Sequence, residues 1–301
     1  MPTVSIIMNV RNGAATLRAA LESAFNQTYR DWELIVWDDR SSDDSANVVA
    51  EFEDPLLRYF LAPHRTPLGQ ARESALGLAR GEWLAFLDQD DIWLPSKLEL
   101  QIAFIDTPQV GLIYGRTLCF YPSGRHRDYD QFHEFGNLPE GDIFDELLGR
   151  GCFIAMSSAF IRRAAIEEIG ALPAQIHVTP DYFWYLAISR RYLARAVQQV
   201  VCRYRVHPAN MTNLYRRESL EETLSLIEAW REQPPPRALA ARHAGVSTAL
   251  AVEEMRHWKS LWRGMNRFLE SGSLWWLLRA PLVRIWRIVG RRVRQPFWKK
   301  F

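Results

Sequence analysis

The sequence predicts an α/β fold: a doubly wound, mostly parallel sheet with helices on both faces, followed by a helical extension. Three observations point to it. Strand and helix signals alternate through the first 105 residues. The strand candidates are continuous apolar runs, as strands buried on both faces are. The two richest acidic clusters, Asp38/Asp39 and Asp88/Asp90/Asp91, each follow such a run. Ligands of open α/β sheets sit outside the carboxyl ends of the strands, so both clusters are expected to face one crevice.

Val4 to Val10 reads as a strand, Ala14 to Phe25 as a helix after the Asn12-Gly13 turn, and Trp32 to Trp37 as the second strand. The polar turn from Asp38 to Ser45 opens a helix to about Glu51, Leu57 to Leu61 is a short strand, and Leu68 to Ala79 is a helix. Trp83 to Leu87 then delivers Asp88-Gln89-Asp90-Asp91, and Pro95-Ser96 starts a helix from Lys97 to Ile105. This β-α-β order is the basis of the parallel sheet. Val110 to Phe120 follows as a strand, Tyr121 to Glu140 as a long polar loop of the kind that carries function, and Ile143 to Leu148 as a helix. Phe153 to Ile161 reads as a strand, Arg163 to Ile169 as a helix closed by Gly170, Asp181 to Tyr192 as an aromatic-rich helix, and Ala196 to Val206 as the last strand. A helix from Glu218 to Trp230 leads to Pro234-Pro235-Pro236, the expected boundary between a domain of residues 1–233 and an extension of residues 237–301.

With 301 residues, 48% of them hydrophobic and 24% charged, the chain is long enough to bury a full core. Cys119, Cys152 and Cys202 are odd in number and widely spaced, which argues for buried thiols in a reducing compartment rather than a disulfide framework. Met1-Pro2-Thr3 runs into the first strand without a basic leader, so the chain is expected not to be secreted. From residue 251 onward there are 12 Lys/Arg against 3 Asp/Glu, so a tail of +9 follows a body of −7, and that tail holds six of the twelve tryptophans.

Clustered carboxylates repel one another and raise each other's pKa, so Asp88/Asp90/Asp91 fits a bound divalent cation; it fits equally the acidic lead-in to a helix N-terminus. The motifs around it resemble those of family 2 glycosyltransferases of the GT-A fold. The resemblance runs over residues 3 to about 212. It is carried by Val4-Ser5-Ile6-Ile7 with Asn12-Gly13, Ser23-Ala24-Phe25-Asn26-Gln27-Thr28-Tyr29, Trp32 to Asp43, Gly69-Gln70-Ala71-Arg72, Ala79-Arg80-Gly81-Glu82 and Leu87-Asp88-Gln89-Asp90-Asp91.

That resemblance implies a Rossmann-like sheet binding a nucleotide-diphosphate sugar, an inverting mechanism and a divalent metal, Mn²⁺ or Mg²⁺. By the same resemblance Asp39, with Asp38, meets the nucleotide base, Asn12 belongs to the nucleotide site, and Arg72 contacts base or phosphate. Asp90 is the direct metal ligand, with Asp88 supporting the ribose or the metal's water shell. Asp181, in Thr179-Pro180-Asp181, is the base that removes the acceptor hydroxyl's proton, and His207 reaches the metal or diphosphate. Each has a purely structural alternative: a helix N-cap for Asp39, a solvated helix face for Arg72, an N-terminal helix carboxylate for Asp181 and a packing histidine for His207. The chain departs from the family pattern at Asn9, Arg11, Glu73 and Pro180, where the family commonly has proline, an aromatic residue, asparagine and an acidic residue.

Many such enzymes elongate lipid-linked saccharides of the bacterial cell envelope, so the implied partners are a nucleotide-diphosphate sugar, a UDP-sugar first, and a saccharide or lipid-linked saccharide acceptor. In the tail a helical wheel from Pro281 to Arg294 sets Arg284, Arg287 and Arg291 opposite Leu282, Ile285, Trp286 and Val289, the pattern of a helix lying in a membrane interface. Arginines interrupt every apolar run short of the ~20 residues a crossing needs. The expectation is a cytoplasmic enzyme, peripheral on the inner face of the membrane; a basic helix packed on the acidic body or on a second copy is the competing reading. Nucleic acid is not expected, because the tryptophans cluster with leucines instead of spacing along a basic groove. Two other classes remain: a catalytically inactive sugar-nucleotide-binding or scaffold protein, and a phospho-accepting signalling domain with Asp38, Asp39, Asp88 and Lys97 as its pocket.

Overall fold

The structure is a computed structural model that describes residues 1–105, 107–122, 129–130, 136–230 and 237–255. The expected boundary at 234–236, the tail helix at 281–294 and most of the loop at 121–140 lie outside these residues. The chain divides into two compact units, the first ending at Glu222 and the second starting at Thr223. The second contains α10 (Arg237–Met255). No helix among the described residues is long and apolar enough to cross a membrane.

The first unit opens with β1 (Val4–Val10), α1 (Ala14–Phe25), β2 (Trp32–Asp38), α2 (Ser45–Ala50), β3 (Leu57–Leu61), α3 (Leu68–Leu76) and β4 (Trp83–Phe86). Next come β5 (Ile92–Trp93), α4 (Lys97–Ile102), β6 (Val110–Phe120), β7 (Tyr129–Asp130), α5 (Phe144–Arg150), β8 (Phe160–Arg162), α6 (Arg163–Ile169), α7 (Pro180–Ser189), β9 (Leu193–Arg205), α8 (Met211–Leu214) and α9 (Arg216–Trp230), the last running on into the second unit. Among the described residues the strands form one sheet in the order β3-β2-β1-β4-β8-β6-β9-β5, with β7 on β6. The expected parallel order holds from β3 to β4. Beyond β4 the sheet is mixed, since β8 enters antiparallel between β4 and β6 and β5 runs antiparallel to β9, while β6 and β9 are parallel.

Both faces of the central strands are buried. Val4, Ile6, Met8 and Val10 pack with Leu17, Leu21 and Val48 from α1 and α2 in the main core cluster. The alternate residues Ser5 and Ile7 are buried as well, with α3 in contact with β1 and β2. The strand expected from Phe153 to Ile161 needs correction: the chain makes a 3-10 turn at Met156–Ser158 and only Phe160–Arg162 joins the sheet. An apolar run marks burial without marking extension, and here Ser158 Oγ donates to the Ala155 carbonyl at 2.8 Å, a local bond that competes with a ladder.

At the amino-terminal ends of the strands Gly81 lies so close to β1 that an added Cβ would fall 2.5 Å from Ser5 N. There Glu33 accepts from Ser5 Oγ, Arg80 N and Arg58 Nη1. Burial works against its charge, but these donors outweigh it and hold the carboxyl below its usual range. The Ala79-Arg80-Gly81-Glu82 motif therefore serves the sheet's floor, at the opposite end from the aspartates.

Lys97 is fully buried, with Nζ donating to Gln101 Oε1 at 2.7 Å and lying 4.1 Å from the centre of the Trp93 ring. It belongs to the core and not to an acidic pocket, which removes the lysine from the signalling reading. Burial lowers its pKa from 10.5 to about 7. The sign follows from proton counting: between those values the unfolded chain holds a proton that the folded chain does not, so stability rises with pH across that window. Below about 7 the cost of a buried charge is fully present. Lys97→Met, which keeps the packing and removes the charge, should therefore exceed the wild type most at pH 7 and least near pH 10 in urea unfolding. A stability gap unchanged between those pH values contradicts this account.

Candidate active site

The two acidic clusters are carried at the ends of β2 and β4, the parallel strands on either side of β1, and the loops that follow these three strands are sewn together. Asn12, at φ 50°, donates its backbone N–H to Ser41 Oγ and accepts from Ser42 N at 2.8 Å through Oδ1. Asn tolerates that left-handed backbone better than most residues. The first N–H groups of α1 go to the next loop: Gly13 N to Ser45 Oγ and Ala14 N to Asp43 Oδ2. Asp38 has both oxygens engaged, one by Ser41 N at 2.6 Å and one by Tyr59 Oη at 2.8 Å. Burial and that acceptor raise the Tyr59 pKa to about 12, so it stays a donor. Asp39 accepts from Thr66 N at 2.9 Å through Oδ1 and has no partner at Oδ2 among the described residues. Of the pair, it is Asp39 that keeps an acceptor for a ligand.

Gln89 lies between the loops and pairs with the backbone of Arg11 in both directions, accepting from its N–H at 2.8 Å and donating to its carbonyl at 3.1 Å. A Cβ on Gly13 would lie 2.3 Å from Gln89 Oε1, so the glycine makes room for this clamp. Gln89 thus fixes the β4 loop against the β1 loop, a role its place between two aspartates did not disclose.

The three carboxylates do not leave the core together as expected. Asp91 turns inward, 1% exposed, and accepts from Ser157 Oγ at 2.6 Å and Arg205 N at 2.9 Å. Burial, then the charges of Asp88 and Asp90, push its carboxyl well up. Its work is to tie the β4 loop to the 3-10 turn and to the end of β9. Ser157 Oγ also accepts the Asp88 N–H at 3.1 Å, and Arg205 Nε donates to the Asp90 carbonyl at 2.7 Å.

Asp88 and Asp90 remain for a ligand. Asp88 Oδ1 accepts from Arg72 Nη2 at 3.0 Å, and Asp90 Oδ2 lies 2.8 Å from His207 Nε2. Burial first, and then Asp88, raise the Asp90 pKa, with His207 opposing them. His207 is set by Asn210, whose Oδ1 accepts the His207 N–H at 2.7 Å. Among the described residues no three His, Cys, Asp or Glu side chains close into a ready metal cage. Two carboxylates suit instead an ion that takes its other ligands from water and from phosphate oxygens, as Mg²⁺ does. The repulsion between Asp88 and Asp90 gives such an ion a place to act.

Asp181 is the second residue of α7, behind Pro180. Its Oδ1 accepts the Tyr182 N–H at 2.9 Å, and Oδ2 has no partner among the described residues. Burial raises its pKa, while the Arg72 charge lowers it and Asp88 raises it. Arg72, itself 5% exposed, feels both carboxylates. The structure therefore brings together Arg72 from α3, Asp88 and Asp90 from the β4 loop, Asp181 from α7 and His207 from beyond β9. Ser157, Gln89 and Asn210 support them.

The family model for Glycosyl transferase family 2 matches residues 5–170. The chain is a family 2 glycosyltransferase. It is 31% identical over 212 residues to the Escherichia coli UDP-Glc:alpha-D-GlcNAc-diphosphoundecaprenol beta-1,3-glucosyltransferase WfaP, covering 70% of this chain and 80% of that one. It is 41% identical over 112 residues to the E. coli enzyme WfgD, named for the same activity, covering 37% of this chain and 44% of that one. The chain thus matches less than half of WfgD's length. Two solved structures share the GT-A fold of this glycosyltransferase. Staphylococcus aureus TarS 1-349 in complex with UDP-GlcNAc has a TM-score of 0.64 at 17% identity, over 89% of this chain and 79% of that one. The Pyrobaculum calidifontis mannosyltransferase PcManGT, in complex with GDP-Man and Mn²⁺, has a TM-score of 0.63 at 18% identity, over 98% and 81%.

Proposed function

We propose that this glycosyltransferase transfers a sugar from a UDP-sugar, with inversion, to a hydroxyl of a lipid-diphosphate-linked saccharide in cell-envelope polysaccharide synthesis. The observation that carries the proposal is the Asp88–Arg72–Asp181 group, which sets a carboxylate with one oxygen open to a ligand beside the carboxylates suited to a cation. The activities for which WfaP and WfgD are named support the choice of donor and acceptor class. A catalytically inactive sugar-nucleotide-binding or scaffold protein has no use for that open oxygen.

Asp39 Oδ2 accepts the imide N–H of uracil, and Asn12 holds the loop on which Asp38 and Asp39 sit. Asp90, with Asp88 and His207, would hold a divalent metal, which would supply positive charge to the departing diphosphate. Arg72 adds a fixed cation on the same side and orients Asp88. Asp181 accepts the proton of the acceptor hydroxyl through Oδ2 as the hydroxyl oxygen attacks the anomeric carbon from the face opposite the diphosphate, which leaves. The upward shift that burial gives Asp181 suits a base that must hold a proton after the attack. Asp181→Asn should lower kcat with UDP-glucose and a GlcNAc-diphospho-lipid by about 10²-fold or more and leave donor binding nearly intact. Asp90→Ala should lose the metal-dependent activity. Unchanged kcat in the first, or full metal-dependent turnover in the second, refutes the corresponding role.

The basic, tryptophan-rich residues from about 258 to 301 hold the enzyme on the cytoplasmic face of an anionic membrane, through burial of tryptophan and attraction of arginine. Full-length protein should sediment with anionic vesicles at low salt, and a truncation after Pro236 should not. Equal sedimentation of the two refutes the attachment.

A further inference from the structure

The segment that delivers Asp181 has no regular structure of its own. Between Gly170 and Pro180 it reads Ala-Leu-Pro-Ala-Gln-Ile-His-Val-Thr, and no helix or sheet ladder satisfies the N–H groups of its last three residues. One carboxylate, Glu222 of α9, takes them all. His177 N and Val178 N donate to its Oε1 at 2.8 and 3.0 Å. Val178 N, Thr179 N and Thr179 Oγ1 donate to its Oε2 at 3.0, 2.8 and 2.8 Å. Glu222 and Thr179 are each 8% exposed, so these bonds form away from bulk water. At the segment's other end Glu73 Oε1 accepts the Leu172 N–H at 2.6 Å. The buried Ile176 lies between, its carbonyl 3.3 Å from where a Cβ on Gly69 would be.

Two features make this more than a packing contact. Pro180, the first residue of α7, lacks an N–H, so the three donors before it are the last backbone donors ahead of the helix, and Asp181 follows the proline. The ligand is also a carboxylate facing donors only: an amide in its place would set an NH₂ group against N–H groups. A misplacement of about 1 Å at a reacting group can cost ~10²-fold in rate.

We propose that Glu222 is a positioning residue for the transfer reaction: its carboxylate, by binding the N–H groups of residues 177–179, sets Asp181 at the distance from Arg72 and Asp88 that proton removal requires. The proposal rests on the reading of Asp181 as the base, and the experiment separates the two. Full-length Glu222→Gln, Thr179→Ala and Asp181→Asn are compared, alone and with Glu222→Gln and Asp181→Asn combined. The measurements are kcat with UDP-glucose and a GlcNAc-diphospho-lipid, UDP affinity by titration, and the melting temperature. Glu222→Gln should lower kcat by about tenfold or more. Thr179→Ala, which removes one of the five bonds, should lower it by roughly threefold. Both should leave UDP affinity unchanged. Adding Glu222→Gln to Asp181→Asn should lower kcat no further, because the group being positioned is already gone. If Glu222→Gln does not fold, Thr179→Ala decides alone. The proposal is overturned if the folded variants keep wild-type kcat, if UDP affinity falls in step with kcat, or if Glu222→Gln costs the same factor with and without Asp181. An unchanged kcat in Asp181→Asn alone removes the base and leaves Glu222 a structural ligand of the loop.

Discussion

Asp88, Asp90 and Asp91 repel one another at the end of β4, and much of the surrounding polar structure answers that repulsion. Each carboxylate has received a different solution. Asp91 is withdrawn into the protein and given two donors, Asp88 is paired with the Arg72 guanidinium, and Asp90 is set against His207. Burial makes the cluster costlier, and it would equally strengthen the cluster's attraction for a cation, because charges interact more strongly where water is scarce. The backbone follows the same need: Arg205 and Ser157, from β9 and the 3-10 turn, converge on a loop far from them in sequence.

The mixed second half of the sheet is what allows this convergence. A wholly parallel sheet brings one end of each strand to the crevice through helical crossovers. Here β5 lies antiparallel on β9, which carries the chain past the aspartates and leaves His207 beside Asp90. The antiparallel β8 lets the 3-10 turn before it reach the Asp88 backbone. The parallel half carries Asp39, and the mixed half supplies Ser157 and His207 to the loop that holds Asp88 and Asp90.

Much of this was legible in the residues. The runs Val4–Val10, Leu57–Leu61 and Val110–Phe120 form strands with the boundaries their composition indicates, because apolar runs bounded by polar turns leave little freedom in where a buried strand ends. Asp39, Arg72, Asp88, Asp90, Asp181 and His207 stand out by the motifs that hold them. What was not legible depends on long-range contacts. Asp38 looks like its neighbour in sequence, yet Tyr59 and Ser41 occupy it. Ser157 reaches Asp91 from 66 residues away and Glu222 reaches Thr179 from 43, and no local pattern encodes either. Phe153 to Ile161 misled because a buried irregular segment and a buried strand share one composition.

The proposed function puts a uridine diphosphate in the crevice, its charge shared with a metal at Asp88 and Asp90. Stabilisation by a ligand follows its differential affinity for the folded state, so the most direct measurement is a thermal-shift panel on the full-length protein. UDP, GDP, dTDP and CMP are each added with and without Mn²⁺. The account predicts the largest rise in melting temperature for UDP with Mn²⁺, and a clearly smaller one for UDP alone. No shift with any nucleotide, or a UDP shift that Mn²⁺ leaves unchanged, would contradict it.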